Sequence, residues 1–216
     1  FSFNFDGSND VLKTNDLNDE LRNISNLSVS AWIYPTHTGT GDTYYAIVTQ
    51  WDYSSVQSWG IWLHTDGATD SALHWNGGGS ASNAVEDGSK RIAINQWTHV
   101  CATKDGTAIK LYVNGSEVVS GTDSASTTHD VNSILRVGSQ ATSGSDTVFF
   151  KGAIDEVGVW NATLSASDVT KIASKPLNLS KASTYATDRT SNLKLWLRAG
   201  DKAEPESNTA IARQDF

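Results

Sequence analysis

Five aromatic residues lie near loops or strand ends, where an exposed ring can stack on the C–H face of a sugar. They are Tyr44, Trp51, Tyr53, Trp59 and Trp75. Asp70 and Asn76 lie beside them in the sequence, and carboxylate or amide groups can hydrogen-bond sugar hydroxyls. These seven residues are candidate glycan contacts. For any one of the rings, the alternative is packing in the core.

Paired carboxylates are the next chemistry to consider, because a glycoside hydrolase needs two of them flanking the scissile bond. Side chains of one strand share a face only at even spacing. The sequence has no Glu-x-Asp-x-Glu pattern, and the adjacent Asp155 and Glu156 would point to opposite faces. A Gly-x-Ser-x-Gly nucleophile elbow is also missing from the sequence. We therefore expect no enzymatic activity.

Histidine and cysteine offer few metal ligands. If the turn between Asp66 and Ser71 is symmetric, His64 and His74 face each other across a hairpin. Such a pair binds zinc only with a third and a fourth ligand, and none is evident in the sequence. The pattern favours an ordinary polar sheet face. Cys101 is the single cysteine, lies in an apolar run and is interpreted as a buried thiol.

Charge and hydropathy argue against two classes of function. The 216 residues include 16 Lys and Arg against 24 Asp and Glu, a formal net charge of -8. A nucleic-acid-binding protein normally carries a basic patch against the phosphates, so we expect no nucleic-acid partner. No apolar run approaches the roughly 18 residues that a membrane-spanning helix needs, so we expect no membrane insertion.

The elements that would position these residues are mostly strands. Apolar and polar residues alternate with a period of two, as in Leu27–Ile33. Turn signals separate the alternating segments, and Asn114-Gly115 is the strongest hairpin signal. Ser165 and Asp168 form a capping box before a short apolar stripe. We predict an all-β fold: a two-sheet antiparallel jelly-roll sandwich with one short helix near 165–174.

Three segments occur in a characteristic order. They are FDGSNDV from Phe5, QWTHV from Gln96 with the later LYVNG, and FKGAIDEVGVW from Phe150. Together they resemble the laminin G-like, concanavalin A-like lectin and glucanase family, which includes the pentraxins. The resemblance runs from Phe1 to Ala173 and implies the jelly roll predicted above.

The resemblance also implies one structural Ca²⁺ at the sandwich rim. In laminarinase-type relatives an N-terminal turn and a late-strand aspartate share one ion, and the matching residues here are Asp6 and Asp155. Calcium prefers hard oxygen ligands of this kind. The alternative is local: Asp155 caps backbone amides and Asp6 forms an Asx turn.

A narrower resemblance lies near the C-terminus. The segment NLKLWLRAGD, Asn192–Asp201, is similar to one that follows this domain in structural proteins of marine bacteriophages. The pattern of the sequence changes after Pro176, so we predict a jelly-roll domain over residues 1–176 and a C-terminal extension over residues 177–216. The resemblance implies that this extension is the start of a further, truncated segment.

Two functions fit these patterns. The first is a non-catalytic carbohydrate-binding or adhesion module whose partner is a glycan or cell-surface polysaccharide. The alternative is a structural virion protein, in capsid decoration or the tail, that packs against other virion proteins and binds no sugar. Exposed aromatic residues grouped on one face favour the first, and a flat apolar patch favours the second. Either function places the protein outside the cell or on a virion surface.

Overall fold

The computed structural model describes residues 2–14, 20–38, 41–53, 56–66, 70–78, 83–89, 91–125, 134–174 and 192–199. Their strands form two sheets. The seven-stranded sheet contains β1 (Phe3–Asp6), β3 (Asn26–Pro35), β8 (Thr98–Asp105), β9 (Ala108–Val113), β10 (Ser116–Thr122), β14 (Lys151–Trp160) and β15 (Leu193–Leu197). The eight-stranded sheet contains β2 (Leu12–Thr14), β4 (Asp42–Asp52), β5 (Val56–Asp66), β6 (Ala72–Gly77), β7 (Val85–Glu86), β11 (Leu135–Val137), β12 (Gln140–Thr142) and β13 (Ser145–Thr147).

The strand order is that of a jelly roll. The seven-stranded sheet runs β1-β14-β3-β8-β9-β10, with β15 beside β14. The eight-stranded sheet runs β13-β12-β4-β5-β6-β7, and β11 pairs with both β2 and β4. Neighbouring strands of the described chain are antiparallel, apart from the parallel pair Ala141 and Asp52 between β12 and β4. The predicted two-sheet antiparallel sandwich is confirmed.

The core lies between the two sheets because each long strand turns alternate side chains to that side. In β5 the inward residues are Trp59, Ile61 and Leu63, all buried in the main core. The same period sends Trp62 and His64 to the outer face of the eight-stranded sheet. This alternation positions the candidate site.

One short helix, α1 (Ala166–Ala173), begins after Ser165. The Ser165 hydroxyl accepts from the backbone N–H of Asp168, and the Asp168 carboxylate accepts from the backbone N–H of Ser165. The predicted helix and its capping box are therefore confirmed. The helix packs on the outer face of the seven-stranded sheet, in a cluster of Cys101, Tyr112, Trp160, Leu164, Val169 and Ile172. Within the described ranges, no helix is long and apolar enough to cross a membrane.

The strand β15 corrects the expected division of the chain at residue 176. It pairs antiparallel with β14, with Leu197 opposite Val157 and Leu193 opposite Trp160. Leu195 and Leu197 belong to the main core. Residues 193–197 are thus part of the sandwich rather than of a separate extension. Of the predicted extension over 177–216, all but residues 192–199 lies outside the described residues.

Candidate functional site

Strands β4 to β7 lie side by side, and their outward side chains form one face of the eight-stranded sheet. Because side chains alternate along a strand, the neighbours of the inward Leu63 and Trp75 point to that face. Five residues of this face contact one another, and we call them the histidine–carboxylate cluster. Its members are Asp42, Tyr44, His64, His74 and Glu86.

Two histidines share one carboxylate in this cluster. Strands β5 and β6 pair so that His64 lies opposite Ala72 and His74 opposite Trp62. The histidines are therefore diagonal neighbours, with ring centroids 6.2 Å apart, and not the directly facing pair that a symmetric turn predicts. Glu86 Oε2 lies 2.7 Å from His64 Nδ1 and 2.9 Å from His74 Nδ1. A single oxygen atom thus orients both rings.

His64 also contacts the other two members of the cluster. Its Nε2 lies 2.7 Å from Asp42 Oδ1, so both of its ring nitrogens face carboxylates. Tyr44 stacks on the imidazole, with centroids 4.2 Å apart and planes 5° apart. Tyr44 is 39% exposed, and the Asp42 side chain is 80% exposed. A fixed aromatic ring and an accessible carboxylate therefore lie next to each other.

The two carboxylates of the cluster act on the Tyr44 phenol. Hydrogen bonding to His74, opposed by burial and aided by His64, lowers the pKa of Glu86. Glu86 is therefore ionised at neutral pH. Burial, together with the nearby charges of Glu86 and Asp42, raises the pKa of Tyr44. The phenol accordingly stays protonated at neutral pH and keeps its O–H donor.

An aromatic group continues the face beside His74. The Trp62 ring meets His74 edge-on at 5.9 Å and Trp51 edge-on at 5.3 Å. Trp62 packs over Gly60, where an added Cβ would lie 2.4 Å from Trp62 Cη2, so a larger residue would displace the ring. The indole Nε1 donates to Gln140 Oε1 at 2.9 Å. Both tryptophans are buried, so they pack beside the cluster and do not expose a ring face to a ligand.

The structure separates the five predicted aromatic contacts. Tyr44 and Tyr53 are exposed, Tyr53 at 64%. Trp51 is buried on the outer sheet face, as described above. Trp59 and Trp75 lie in the core between the sheets, stacked with centroids 6.2 Å apart. The expectation that these two are loop aromatics open to a sugar is therefore wrong, because their strand positions face inward.

The two predicted polar contacts, Asp70 and Asn76, lie in different places. Asp70 is exposed just before β6 and lies outside the cluster. Asn76 lies on the outer face of β6, two residues after His74, and is half-buried. Its Oδ1 is buried with no hydrogen-bond partner. Of the predicted set, the cluster itself contains Tyr44, and Asn76 is adjacent on the same face.

Asp6 and Asp155, expected to share a calcium ion, are not brought together. In the β1–β14 ladder, Asp6 lies opposite Lys151. Asp155 is four residues further along β14, and at the rise of a strand this places it about 13 Å from Lys151. Asp6 Oδ1 accepts from the Ser8 N–H at 2.7 Å, as in an Asx turn. Asp155 Oδ1 accepts from two backbone amides, at 2.8 and 3.0 Å, the second from Ala199. The prediction that these two aspartates share a calcium ion is therefore replaced by the local alternative, in which each accepts hydrogen bonds from backbone amides.

Among the residues that the structure describes, no group of three or more His, Cys, Asp and Glu side chains is arranged to hold a metal ion. In the cluster, the ring nitrogens of His64 and His74 contact Glu86 directly. Calcium stays a prediction of the family resemblance without an assigned pair of ligands.

Sequence reasoning missed Asp42, Glu86 and Trp62. The sequence does contain a signal for Trp62. It lies two residues before His64 in one strand, and residues at even spacing share a face. Glu86 comes from a two-residue strand, and its position beside β6 depends on pairing with His74. Asp42 depends on the long-range register of β4 with β5. No local pattern marks either carboxylate.

The fold and this face define a class of protein: a two-sheet antiparallel jelly roll with an aromatic, carboxylate-bearing outer sheet face. The family model described as the concanavalin A-like lectin/glucanases superfamily matches residues 6–170, and the chain belongs to this family. The family resemblance seen in the sequence is thereby confirmed. No curated protein sequence matches the chain significantly.

Several solved structures are similar to this chain. A heptameric SAP-like pentraxin from Limulus polyphemus is 17% identical, with 81% of each chain covered and a TM-score of 0.56. Domain 4 of AbnA, a GH43 extracellular arabinanase from Geobacillus stearothermophilus in complex with arabinotriose, is 26% identical over 71% of this chain and 69% of that one, with a TM-score of 0.50. The sialidase CBM40 from Ruminococcus gnavus, bound to α2,3-sialyllactose, is 12% identical over 80% and 95%, with a TM-score of 0.60.

Proposed function

We propose that this domain is a non-catalytic carbohydrate-binding module and that the histidine–carboxylate cluster contacts the glycan. The observation that carries the proposal is Tyr44, an exposed ring fixed by its stack on His64 beside the accessible carboxylate of Asp42. Such a ring can stack on a sugar, and the carboxylate can accept its hydroxyl groups. Because the ring is already fixed, little side-chain entropy is lost on binding.

The comparisons support this proposal at two levels. Domain 4 of AbnA is 26% identical to this chain and was solved with arabinotriose, a sugar ligand. The sialidase CBM40 was also solved with a glycan, and at 12% identity it supports the shared fold. The position of the ligand contact is argued from the cluster alone.

We propose binding without cleavage because of the space between the carboxylates. Asp42 and Glu86 contact different nitrogens of His64, so the imidazole ring lies between them. A glycosidase keeps that space open for the scissile bond and, in inverting enzymes, for a water molecule. The cluster therefore suits recognition better than hydrolysis.

The function is tested on a glycan array with the purified domain, followed by calorimetric titration of the tightest glycan. We expect Tyr44→Ala to weaken binding at least about tenfold, because the stacking ring is removed. Tyr53→Ala is the matched control, since it truncates an exposed tyrosine outside the cluster, and its affinity should equal that of the wild type. Weakening by Tyr53→Ala alone would move the contact to the end of β4. Absence of binding to every glycan would contradict the function.

The calcium expectation is tested by repeating the titration with calcium and with a chelator. Binding that is lost on chelation supports a calcium-dependent module whose ligands differ from the Asp6 and Asp155 pair. Binding that persists argues against calcium and leaves the cluster as the contact.

We also propose a location outside the cell or on a virion surface, where glycans are displayed. The resemblance of Asn192–Asp201 to a segment of bacteriophage structural proteins supports the virion setting. A structural virion role without sugar binding is the alternative, and a glycan array without any binding would favour it.

A further inference from the structure

The charge of the cluster limits which glycans it can accept. It contains two carboxylates, Asp42 and Glu86, and two imidazoles, His64 and His74. While both carboxylates are ionised, the net charge is -2 with neutral imidazoles and 0 with two imidazolium ions. The cluster therefore never presents a net positive charge to a ligand, whatever the protonation of its histidines.

Three of the four imidazole nitrogens of the cluster face carboxylates. Both ring nitrogens of His64 face Asp42 or Glu86, and Nδ1 of His74 faces Glu86. An anionic ligand would have to compete with these carboxylates for the N–H groups. In contrast, Asp42 has an exposed carboxylate that only accepts hydrogen bonds. The cluster thus offers acceptors, which match hydroxyl donors.

Several cationic side chains of the described ranges pair with carboxylates outside the cluster. Lys13 and Arg136 both pair with Asp146, at 2.6 and 3.0 Å, toward the β11–β13 side of the sheet. Arg91 pairs with Asp87 at 3.2 Å. Of the arginine and lysine side chains that the structure describes, none pairs with a carboxylate of the cluster. No described arginine is therefore held at the cluster by an ion pair, where its guanidinium could bind the carboxylate of an acidic sugar through two N–H groups.

We propose that the ligand of the cluster is an uncharged glycan whose hydroxyl groups donate to Asp42, and that carboxylated or sulfated glycans are rejected. The inference rests on the proposed function and narrows its ligand class. An acidic sugar at Tyr44 would place its charge beside two carboxylates, and the histidine nitrogens at 2.7–2.9 Å from those carboxylates are already engaged with them. The repulsion is electrostatic, so added salt should weaken it.

The inference is tested with pairs of glycans that differ in charge. Suitable pairs are lactose and α2,3-sialyllactose, methyl-esterified and de-esterified homogalacturonan, and agarose and a sulfated galactan. We expect the acidic member of any bound pair to bind at least about tenfold more weakly at low salt. The difference in affinity between the neutral and the acidic member, called the gap below, should narrow when the ionic strength rises to about 0.5 M.

The variant Asp42→Asn tests whether the cluster causes the difference in affinity between neutral and acidic glycans. Asparagine keeps an oxygen acceptor but removes the charge, so we expect the ratio of neutral to acidic affinity to fall relative to the wild type, whatever the change in the neutral affinity. Asp105→Asn removes the same charge from an exposed carboxylate at the end of β8, in the other sheet, and should leave the gap unchanged.

Two results would overturn the inference. One is binding of the acidic members as tightly as the neutral ones, and the other is a narrowing of the affinity gap by Asp105→Asn as large as that by Asp42→Asn. If every pair fails to bind, the proposed function falls and the inference with it. Tight binding of acidic glycans that Tyr44→Ala abolishes would instead keep the function and refute only the inference.

Discussion

Glu86 contacts both histidines of the cluster through one carboxylate oxygen. These bonds lower the pKa of Glu86 from its usual value of 4.5. Ionised Glu86 therefore adds to the free energy of unfolding above that value, and the contribution is lost as the pH falls through the lower, folded-state pKa. We predict that Glu86→Gln is less stable than the wild type near neutral pH and that the difference shrinks as the pH falls below 4.5 toward the lowered, folded-state pKa. Urea denaturation at several pH values measures it.

The control at this scale is Glu117→Gln. Glu117 pairs with Lys110 at 2.8 Å on the exposed side of the seven-stranded sheet, so its loss should change stability little at any pH. A difference between Glu86→Gln and the wild type that stays constant or grows toward acid would contradict the role of Glu86 in holding the cluster.

At the scale of elements, β15 is the strand whose contribution is most open to test. Leu195 is buried in the main core, so Leu195→Ala should lower the free energy of unfolding by about 2–5 kcal/mol. Lys194→Ala is the control in the same strand, because it removes the ion pair with the half-exposed Glu20 and part of an aliphatic stem outside the main core, and should have a smaller effect. Wild-type stability for Leu195→Ala in urea denaturation would show that β15 is dispensable to the sandwich.

The elements also show which parts of the structure can be predicted from sequence. Period-two alternation and turn residues predict the strands, and the capping box at Ser165 predicts the helix. The same alternation cannot say which face of β5 is buried, because Trp59 and Trp62 are both apolar and point to opposite sides. In β4, register shifts between Ala46 and Val48 and between Gln50 and Trp51 interrupt the alternation. The side on which Trp51 lies is therefore fixed by pairing with β5.

At the scale of the whole molecule, the two outer faces differ. Helix α1 packs on part of the outer face of the seven-stranded sheet. Trp32 contacts His99 and Trp97 contacts Tyr34, and both tryptophans are half-buried. The eight-stranded sheet carries the histidine–carboxylate cluster on its own outer face. The net charge of -8 agrees with a ligand that is not strongly acidic. The two faces thus give distinct locations for a bound glycan.

The most direct measurement is an NMR titration of the domain, carrying ¹³C-labelled tyrosine, histidine and tryptophan, with the tightest glycan from the array. We predict that the largest shift changes fall on Tyr44, His64 and His74, with the signals of Trp32 and Trp97 unmoved. Changes centred on Trp32 and Trp97, or on Tyr53, would contradict the assignment of the glycan to the histidine–carboxylate cluster.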